Sequence, residues 1–297
     1  VLKGYKYEYL EYIGPNKVGS IYPLTTEFIT KIFDHKTDII WIHGIKNWYN
    51  LCLILLAKFF KKKVFVRDEV FHKSKKRDFI NKFLNYIFYL IIDSFIDIYL
   101  AIGSENKKYY IDNNINKNKI VTVPYVVNNN FFYKKKKITK NKRTTFLFVA
   151  KLIKKKGPDL FLEALKLLKK NLGYELKARF LLVGDGYMKK KLERFAINNK
   201  LNNVKFISFK NQKKLAKIYQ SSDVFIMPSR IEPWGLTVNE AMAGGNAIIS
   251  SDIVGSSFDL VKNGINGLIF KNNSVEDLAK KILQISKNKK QLKIFKS

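Results

Sequence analysis

Thiols are almost absent: Cys52 is the single cysteine in 297 residues. That excludes an internal disulfide framework and any zinc site built mainly from thiolates. Acidic residues are scarce too, 24 Asp and Glu against 56 Lys and Arg, for a net charge of +32. No clean run of apolar residues is long enough to span a bilayer. The best candidate, Phe83–Ile102, carries Asp93 and Asp97, each costly at a helix centre, and Leu51–Phe60 is too short. No stretch has the pattern of a secretory signal, and because the chain starts at Val1 and not at Met, its true N-terminus is expected upstream. Apolar surface, by contrast, is plentiful. Hydrophobic residues make up 46% of the chain and aromatics 14%, which excludes a disordered polyelectrolyte. The length suggests about two domains.

The positive charge is spread evenly. Residues 1–143 hold 27 basic and 12 acidic residues, and residues 144–297 hold 29 and 12. Three readings stand side by side: compositional drift toward Lys, Asn and Ile with solvated lysines, an anionic membrane surface, or nucleic acid. The last needs a clustered basic face with interleaved aromatics, and the even spread speaks against it. Under any of them the chain attracts anionic substrates at long range, less so in salt.

Short apolar runs alternate with amphipathic stretches, most regularly in the second half. Strands are expected at Thr145–Val149, Arg179–Val183, Val204–Ser208, Asp223–Met227, Ala247–Ser250 and Gly267–Phe270. Between the first two, Leu160, Phe161, Ala164, Leu165 and Leu168 form one helical face, with Pro158 suited to a first turn and Gly173 to the stop. Ser274 and Asp277 resemble a capping box opening the last helix. In the first half Asp38–His43, Lys63–Arg67, Ile98–Gly103 and Ile120–Pro124 read as strands, and Trp48–Phe60 and Asp78–Phe95 as helices. The run Lys134–Arg143, with seven basic residues and one apolar one, reads as an exposed linker. The expected fold class is α/β: two doubly wound domains with parallel sheets, residues 1–143 (incomplete at the start) and 144–297.

The most informative stretch is Pro228–Ser251, PSRIEPWGLTVNEAMAGGNAIISS. It follows a buried strand, so its loop lies at that strand's carboxyl end, where ligands of such sheets bind. A short helix from about Gly235 to Ala243 presents unpaired N–H groups and partial positive charge at its start. The N–H groups of Gly235, Leu236 and Thr237 are placed to hold a phosphate. Glu232 lies just before this helix and Glu240 one turn inside it. Two acceptor-only carboxylates suit vicinal diols, so the layout fits a ligand with hydroxyls at both ends and phosphate between, as in a nucleotide-sugar. Acids beside a diphosphate demand countercharge, which AKLIKKKG supplies through Lys151 and Lys156.

The stretch EPWGLTVNE, Glu232 to Glu240, resembles the E-x(7)-E motif of the family-4 retaining glycosyltransferases, the glycosyl transferases group 1 of GT-B fold. FVAKLIKKKGPDLFLEAL, LLVGDGYMKKKLE, SSDVFIMPS and VKNGINGLIF match that family in order and spacing, and YLAIGSENKKYY and IVTVPYVVNNNFF resemble the end of its N-terminal domain. The resemblance covers Asp38 to Leu283, loosely in the first half and closely in the second. It implies facing Rossmann-like halves, the donor nucleotide-sugar on the C-terminal one and a glycan or lipid-linked acceptor on the other. It implies a catalytic Glu232 on the sugar hydroxyls, Glu240 on the ribose, and Lys151, Lys156 and the N–H groups of Gly235, Leu236 and Thr237 on the diphosphate. It also implies a retaining, metal-independent transfer of a hexose with no cofactor beyond the donor. No two Asp are spaced i, i+2, so the metal-binding D-x-D motif of the other large transferase fold is missing.

Where the family often has Gly-Arg, this chain has Ala150–Lys151, which keeps the charge without the fork. The last helix is expected to be cut short at Ser297. His43 and Arg67 are candidate acceptor or cleft residues; for each, a structural role is the competing reading, a local ion pair with Asp68 or Glu69 in the case of Arg67. Gly184-Asp185-Gly186 is either a plain tight turn or a donor-facing loop, and base identity is expected to depend on the backbone near Ile207–Lys210. The family's roles imply a cytoplasmic enzyme of cell-surface polysaccharide or glycolipid assembly, peripheral on the inner face of the membrane, with an anionic membrane surface as partner and no nucleic acid. The alternatives are a non-catalytic basic membrane- or nucleic-acid-binding protein, or a nucleotide-sugar epimerase of the same fold.

Overall fold

The expected strands and helices appear in a computed structural model that describes residues 30–31, 34–71, 79–133, 143–173 and 175–296. Contacts divide the chain into two compact units, one built on 34–70, 79–102 and 106–123, the other on the chain from Pro124 onward together with Phe71 and Gly103–Glu105. Residues 134–142 of the expected linker lie outside the described residues. Among the described residues no helix is long and apolar enough to cross a membrane.

The first unit carries β1 (Ile39–His43), α1 (Trp48–Phe59), β2 (Lys63–Arg67), α2 (Phe79–Ile92), β3 (Ile98–Ala101), α3 (Ser104–Asp112) and β4 (Ile120–Thr122). Its four strands are all parallel and run in chain order, β1-β2-β3-β4. The Asn47 side chain caps α1 by accepting from the Asn50 N–H at 2.7 Å. Asp97, just before β3, accepts from the Val64 N–H at 2.8 Å and from Lys58 at 2.6 Å. Burial raises this carboxyl, but those hydrogen bonds and the Lys58 charge outweigh it, leaving it below its ordinary value. Four tyrosines, Tyr89, Tyr99, Tyr109 and Tyr110, fill the core with ring centroids 4.9–6.5 Å apart.

The second unit opens with the single-turn α4 (Asn129–Phe132) and continues β5 (Thr144–Val149), α5 (Pro158–Leu172), β6 (Ala178–Val183), α6 (Lys189–Asn198), β7 (Val204–Ile207), α7 (Gln212–Ser221) and β8 (Val224–Met227). It ends α8 (Leu236–Ala243), β9 (Ala247–Ser251), α9 (Gly255–Leu260), β10 (Gly267–Phe270), α10 (Val275–Lys287) and α11 (Lys289–Phe295). Strand order is β10-β9-β8-β5-β6-β7, all parallel. The order reverses between β5 and β8, which makes that junction the switch point of a doubly wound sheet. Period-2 alternation covers both faces: Phe146 and Phe148 join one apolar cluster, Leu147 and Val149 the other. The Ser274 hydroxyl accepts from the Asp277 N–H at 3.1 Å. The Asp277 carboxylate turns instead to the Lys271 N–H at 2.8 Å, so only half of the expected capping box forms.

Gly157, at φ 70°, ends the turn after β5 so tightly that a Cβ there would lie 2.0 Å from the Pro228 carbonyl oxygen. Gly173, at φ 71°, stops α5 with nothing within 4 Å of that position. Both favour the left-handed region, but only Gly157 brings one loop against another. Gly157→Ala is therefore expected to destabilise by about 2–3 kcal/mol, against about 1 kcal/mol for Gly173→Ala. Urea denaturation of the two variants checks the difference, and equal losses would show that the close approach contributes nothing.

Candidate active site

The loop after β8 and the loop after β5 emerge side by side at the switch point. Arg230 joins them. Its guanidinium forks onto Asp159, at 2.7 and 3.0 Å, and also donates to the Lys154 carbonyl at 2.8 Å and to Asn273 Oδ1 at 2.7 Å. Its backbone N–H donates to the Lys155 carbonyl at 2.9 Å. Burial raises the Asp159 carboxyl, but hydrogen bonds from Arg230 and Lys154 and the charges behind them bring it below its ordinary value.

This clamp sets the position of Lys156. The Lys156 ammonium sits on the Glu232 carboxylate, which is 7% exposed and has the Ser229 hydroxyl at 3.4 Å on the same oxygen. The Glu232 backbone is pinned as well: its carbonyl accepts from the Gly255 N–H at 3.0 Å, and the Trp234 carbonyl from the Ser256 N–H at 2.8 Å. Glu232 thus enters α8 from a loop tied to the turn after β9. Gly235, at φ 91°, is the cap residue of α8, and no side chain caps this helix. A Cβ on Gly235 would come within 3.1 Å of Glu232 Cγ, so the Glu232 side-chain methylenes lie against the helix start. Leu236 is exposed and Thr237 half-buried.

Glu240 has a different partner. It is 6% exposed, and its carboxylate accepts from the Tyr219 hydroxyl of α7 at 2.9 Å. Burial raises this carboxyl, and the tyrosine hydrogen bond holds it partly down. The Tyr219 phenol is itself pushed well up by burial and then by the Glu240 charge. Lys151 leaves β5 exposed, with no side-chain partner among the described residues. Of the residues expected at the site, the structure brings Glu232, Lys156 and the start of α8 into contact. Lys151 stays on the same strand edge without touching them, and Glu240 is anchored from behind by Tyr219.

Gly184-Asp185-Gly186 is a braced turn. The Leu152 N–H donates to the Asp185 carbonyl at 2.9 Å, and the Asp185 carboxylate accepts from Lys189 and from the Phe209 N–H, both at 2.7 Å. The Ile207 carbonyl accepts from the Gly184 N–H at 2.9 Å, which ties the Ile207–Lys210 backbone to that turn. In the first unit His43 and Arg67 face each other in register at the carboxyl ends of β1 and β2. His43 is exposed and stacks on Trp41, centroids 5.4 Å apart. Arg67 is buried, donates to the Val123 carbonyl at the end of β4, and lies 5.8 Å from the Trp41 ring. Among the described residues no three of His, Cys, Asp and Glu converge as a metal site.

Sequence reasoning missed Arg230, Asp159 and Tyr219. Arg230 and Asp159 lie 71 residues apart, and Tyr219 and Glu240 lie 21 apart, with no local spacing to link them. The one signal available was the buried aromatic position of Tyr219 on the inner face of α7.

The fold is that of an α/β protein whose second unit is a doubly wound sheet with its switch point between β5 and β8. The chain belongs to the glycosyl transferases group 1, whose family model matches residues 129–297. It is 31% identical over 142 residues to the uncharacterized glycosyltransferase MJ1178 of Methanocaldococcus jannaschii, covering 48% of this chain and 38% of that protein. It is 27% identical over 316 residues to MJ1069 of the same organism, covering 99% of this chain and 78% of the other. Among solved structures, Anabaena HepE in complex with UDP and glucose shares the fold at a TM-score of 0.70 and 16% identity, over 91% of this chain and 75% of HepE.

Because the Glu240 carboxyl is raised, the folded chain holds that proton to higher pH than the unfolded chain does. Ionising it costs stability, and that cost is absent at acid pH and complete above the folded-state value. Glu240→Gln is expected to melt roughly 2 °C above the wild type near pH 8, with the gap closing near pH 4.5. Tyr219→Phe, which removes the stabilising donor, should move the Glu240 titration still higher by NMR. A melting gap independent of pH, or an unmoved titration, would contradict this account.

Proposed function

We propose that the chain is a retaining glycosyltransferase that moves a hexose from a nucleoside-diphosphate sugar to a glycan or lipid-linked acceptor without a metal ion. The observation that carries the reading is the Lys156–Glu232 pair, held beside the uncapped start of α8 by the Arg230–Asp159 clamp. An ammonium and a carboxylate in contact match the two ends of the donor's reacting half, diphosphate and sugar hydroxyls. Donor binding exchanges one internal ion pair for two external contacts. HepE, with UDP and glucose bound on the same fold, supports this class of donor.

Each group then has a task. The N–H groups of Gly235, Leu236 and Thr237 and the ammonium groups of Lys151 and Lys156 hold the diphosphate. One such ammonium–phosphate contact at ~4 Å gives about 4 kcal/mol of gross attraction at an effective dielectric near 20. As the bond between the sugar's anomeric carbon and the diphosphate oxygen breaks, negative charge grows on that oxygen, where these donors already point. The acceptor hydroxyl forms the new bond to the same carbon from the face the diphosphate leaves and passes its proton to the departing diphosphate oxygen, so the sugar keeps its anomeric configuration. Glu232 holds the sugar hydroxyls and orients that carbon. Glu240 takes the ribose hydroxyls, and Tyr219, donating to it, favours its ionised, acceptor form. Countercharge from lysines and peptide dipoles fills the role a metal ion plays elsewhere. His43 and Arg67 serve the acceptor side. We place the enzyme in the cytoplasm, peripheral on the inner face of the membrane.

Screening the protein by thermal shift against UDP-, GDP-, ADP- and CDP-sugars identifies the donor. With the tightest of these, Glu232→Gln is expected to reduce transfer by at least ~100-fold at unchanged fold, while chelator leaves the wild type untouched; full activity in the variant, or loss in chelator, would overturn the assignment. Lys151→Ala with Lys156→Ala should weaken nucleoside-diphosphate affinity by roughly 10-fold or more. The control pair Lys169→Ala with Lys170→Ala, at the far end of α5, should leave it within about 2-fold. Equal losses from both pairs would assign the attraction to diffuse charge.

A further inference from the structure

We propose that the outward face of α2 is a docking surface for an anionic lipid bilayer. This deepens the peripheral placement proposed above, on which it rests, and is read independently of donor chemistry. On α2 the face turned to the core is narrow, with Asn85, Tyr89 and Ile92 buried. The rest of the helix carries large apolar side chains into solvent: Phe79 is 84% exposed, Ile80 67%, Phe83 57%, Leu84 58%, Leu90 52% and Ile91 62%. A helix that covers one side of a sheet ordinarily turns charge outward. Here Lys82, itself exposed, is the single charged residue in fourteen.

The neighbouring crossover repeats the pattern. On α1, Trp48, Leu55 and Phe59 are 50%, 48% and 78% exposed and fall on one stripe at i, i+7 and i+11. Its single charged residue is Lys58. Parallel strands in chain order with right-handed crossovers place α1 and α2 on the same side of their sheet. Both apolar stripes therefore look outward from that side. Neither helix contains an acid, and Lys61 and Lys63, just past α1, are exposed.

Charge selects the occupant. A net +32 opposes pressing two copies of this chain together, whereas an anionic headgroup layer supplies the opposite sign and an acyl boundary that accepts Phe, Leu and Ile. The acids nearest the two helices, Asp93 and Asp97, are paired with Lys119 and with Lys58 and Lys63, so apolar side chains with exposed Lys61 and Lys82 beside them suit a surface that lies in the plane of an anionic bilayer.

The test uses the full chain in co-sedimentation with vesicles of phosphatidylcholine alone or with 30% phosphatidylglycerol. Wild type is expected to partition at least 10-fold more onto the anionic vesicles, less at 0.5 M salt. Phe83→Ser with Leu90→Ser should lose at least 10-fold at unchanged melting temperature and donor affinity, while Ile197→Ser, an exposed apolar on the second unit, should lose none. Hydrogen exchange on the wild type, which needs no variant to fold, should show vesicle protection centred on 48–59 and 79–92. Equal binding to both vesicle types, a double variant that binds as wild type, exchange protection elsewhere, or a dimer broken by the double variant with vesicle binding unmoved would each overturn the proposal. Loss of donor binding with vesicle binding intact would count against the transferase reading and leave this one standing.

Discussion

The fork between Arg230 and Asp159 is the contact on which the candidate site depends. It bridges loops from strands that are neighbours in space and distant in sequence, and it does so where the sheet reverses direction. A bidentate guanidinium–carboxylate pair fixes angle as well as distance, so the Lys154–Lys156 turn arrives at Glu232 in one orientation. Arg230 also gathers a backbone carbonyl and an asparagine oxygen, which occupies four of its five N–H donors within the protein. The charge paired with Glu232 is then lysine, able to change partners, while arginine holds the frame.

The half-buried Asp97 and the buried Glu240 show two ways of keeping a carboxylate. Asp97 is surrounded by cations and an amide and stays ionised at little cost. Glu240 has only a phenol to lean on and pays in stability for its charge. Strained or costly groups concentrate where function needs them, and Glu240 fits that pattern while Asp97 belongs to the scaffold.

Much of the second unit was legible in the sequence. Its strands run as apolar stretches because both faces are covered, and α5 shows its five-residue stripe between Pro158 and Gly173. Glu232, Lys156 and the start of α8 come together because strand-end loops converge at a switch point, a rule of topology and not of local pattern. Lys151 was inferred from the same rule but is exposed with no partner among the described residues, since topology puts a residue on an edge without aiming its side chain. Arg230 with Asp159 and Tyr219 with Glu240 stayed hidden because tertiary pairs leave no spacing signal. Asp277 was expected to complete a capping box, but the Lys271 amide competes for its carboxylate. In the first unit the apolar length of α2 was visible, while which side of it meets the sheet depended on Asn85 and Tyr89, a division that periodicity in an almost uniformly apolar helix does not show.

The junction between β5 and β8 also has a history in time. Asp223 accepts from the Thr145 N–H at 3.0 Å across 78 residues, whereas β5 with β6 and β8 with β9 close over far shorter stretches. Loop closure favours the short pairings first, so the crevice is completed when two preformed half-sheets meet. With two paired positions against four to six between the other neighbours of this sheet, the seam closed last is also the one with the shortest ladder.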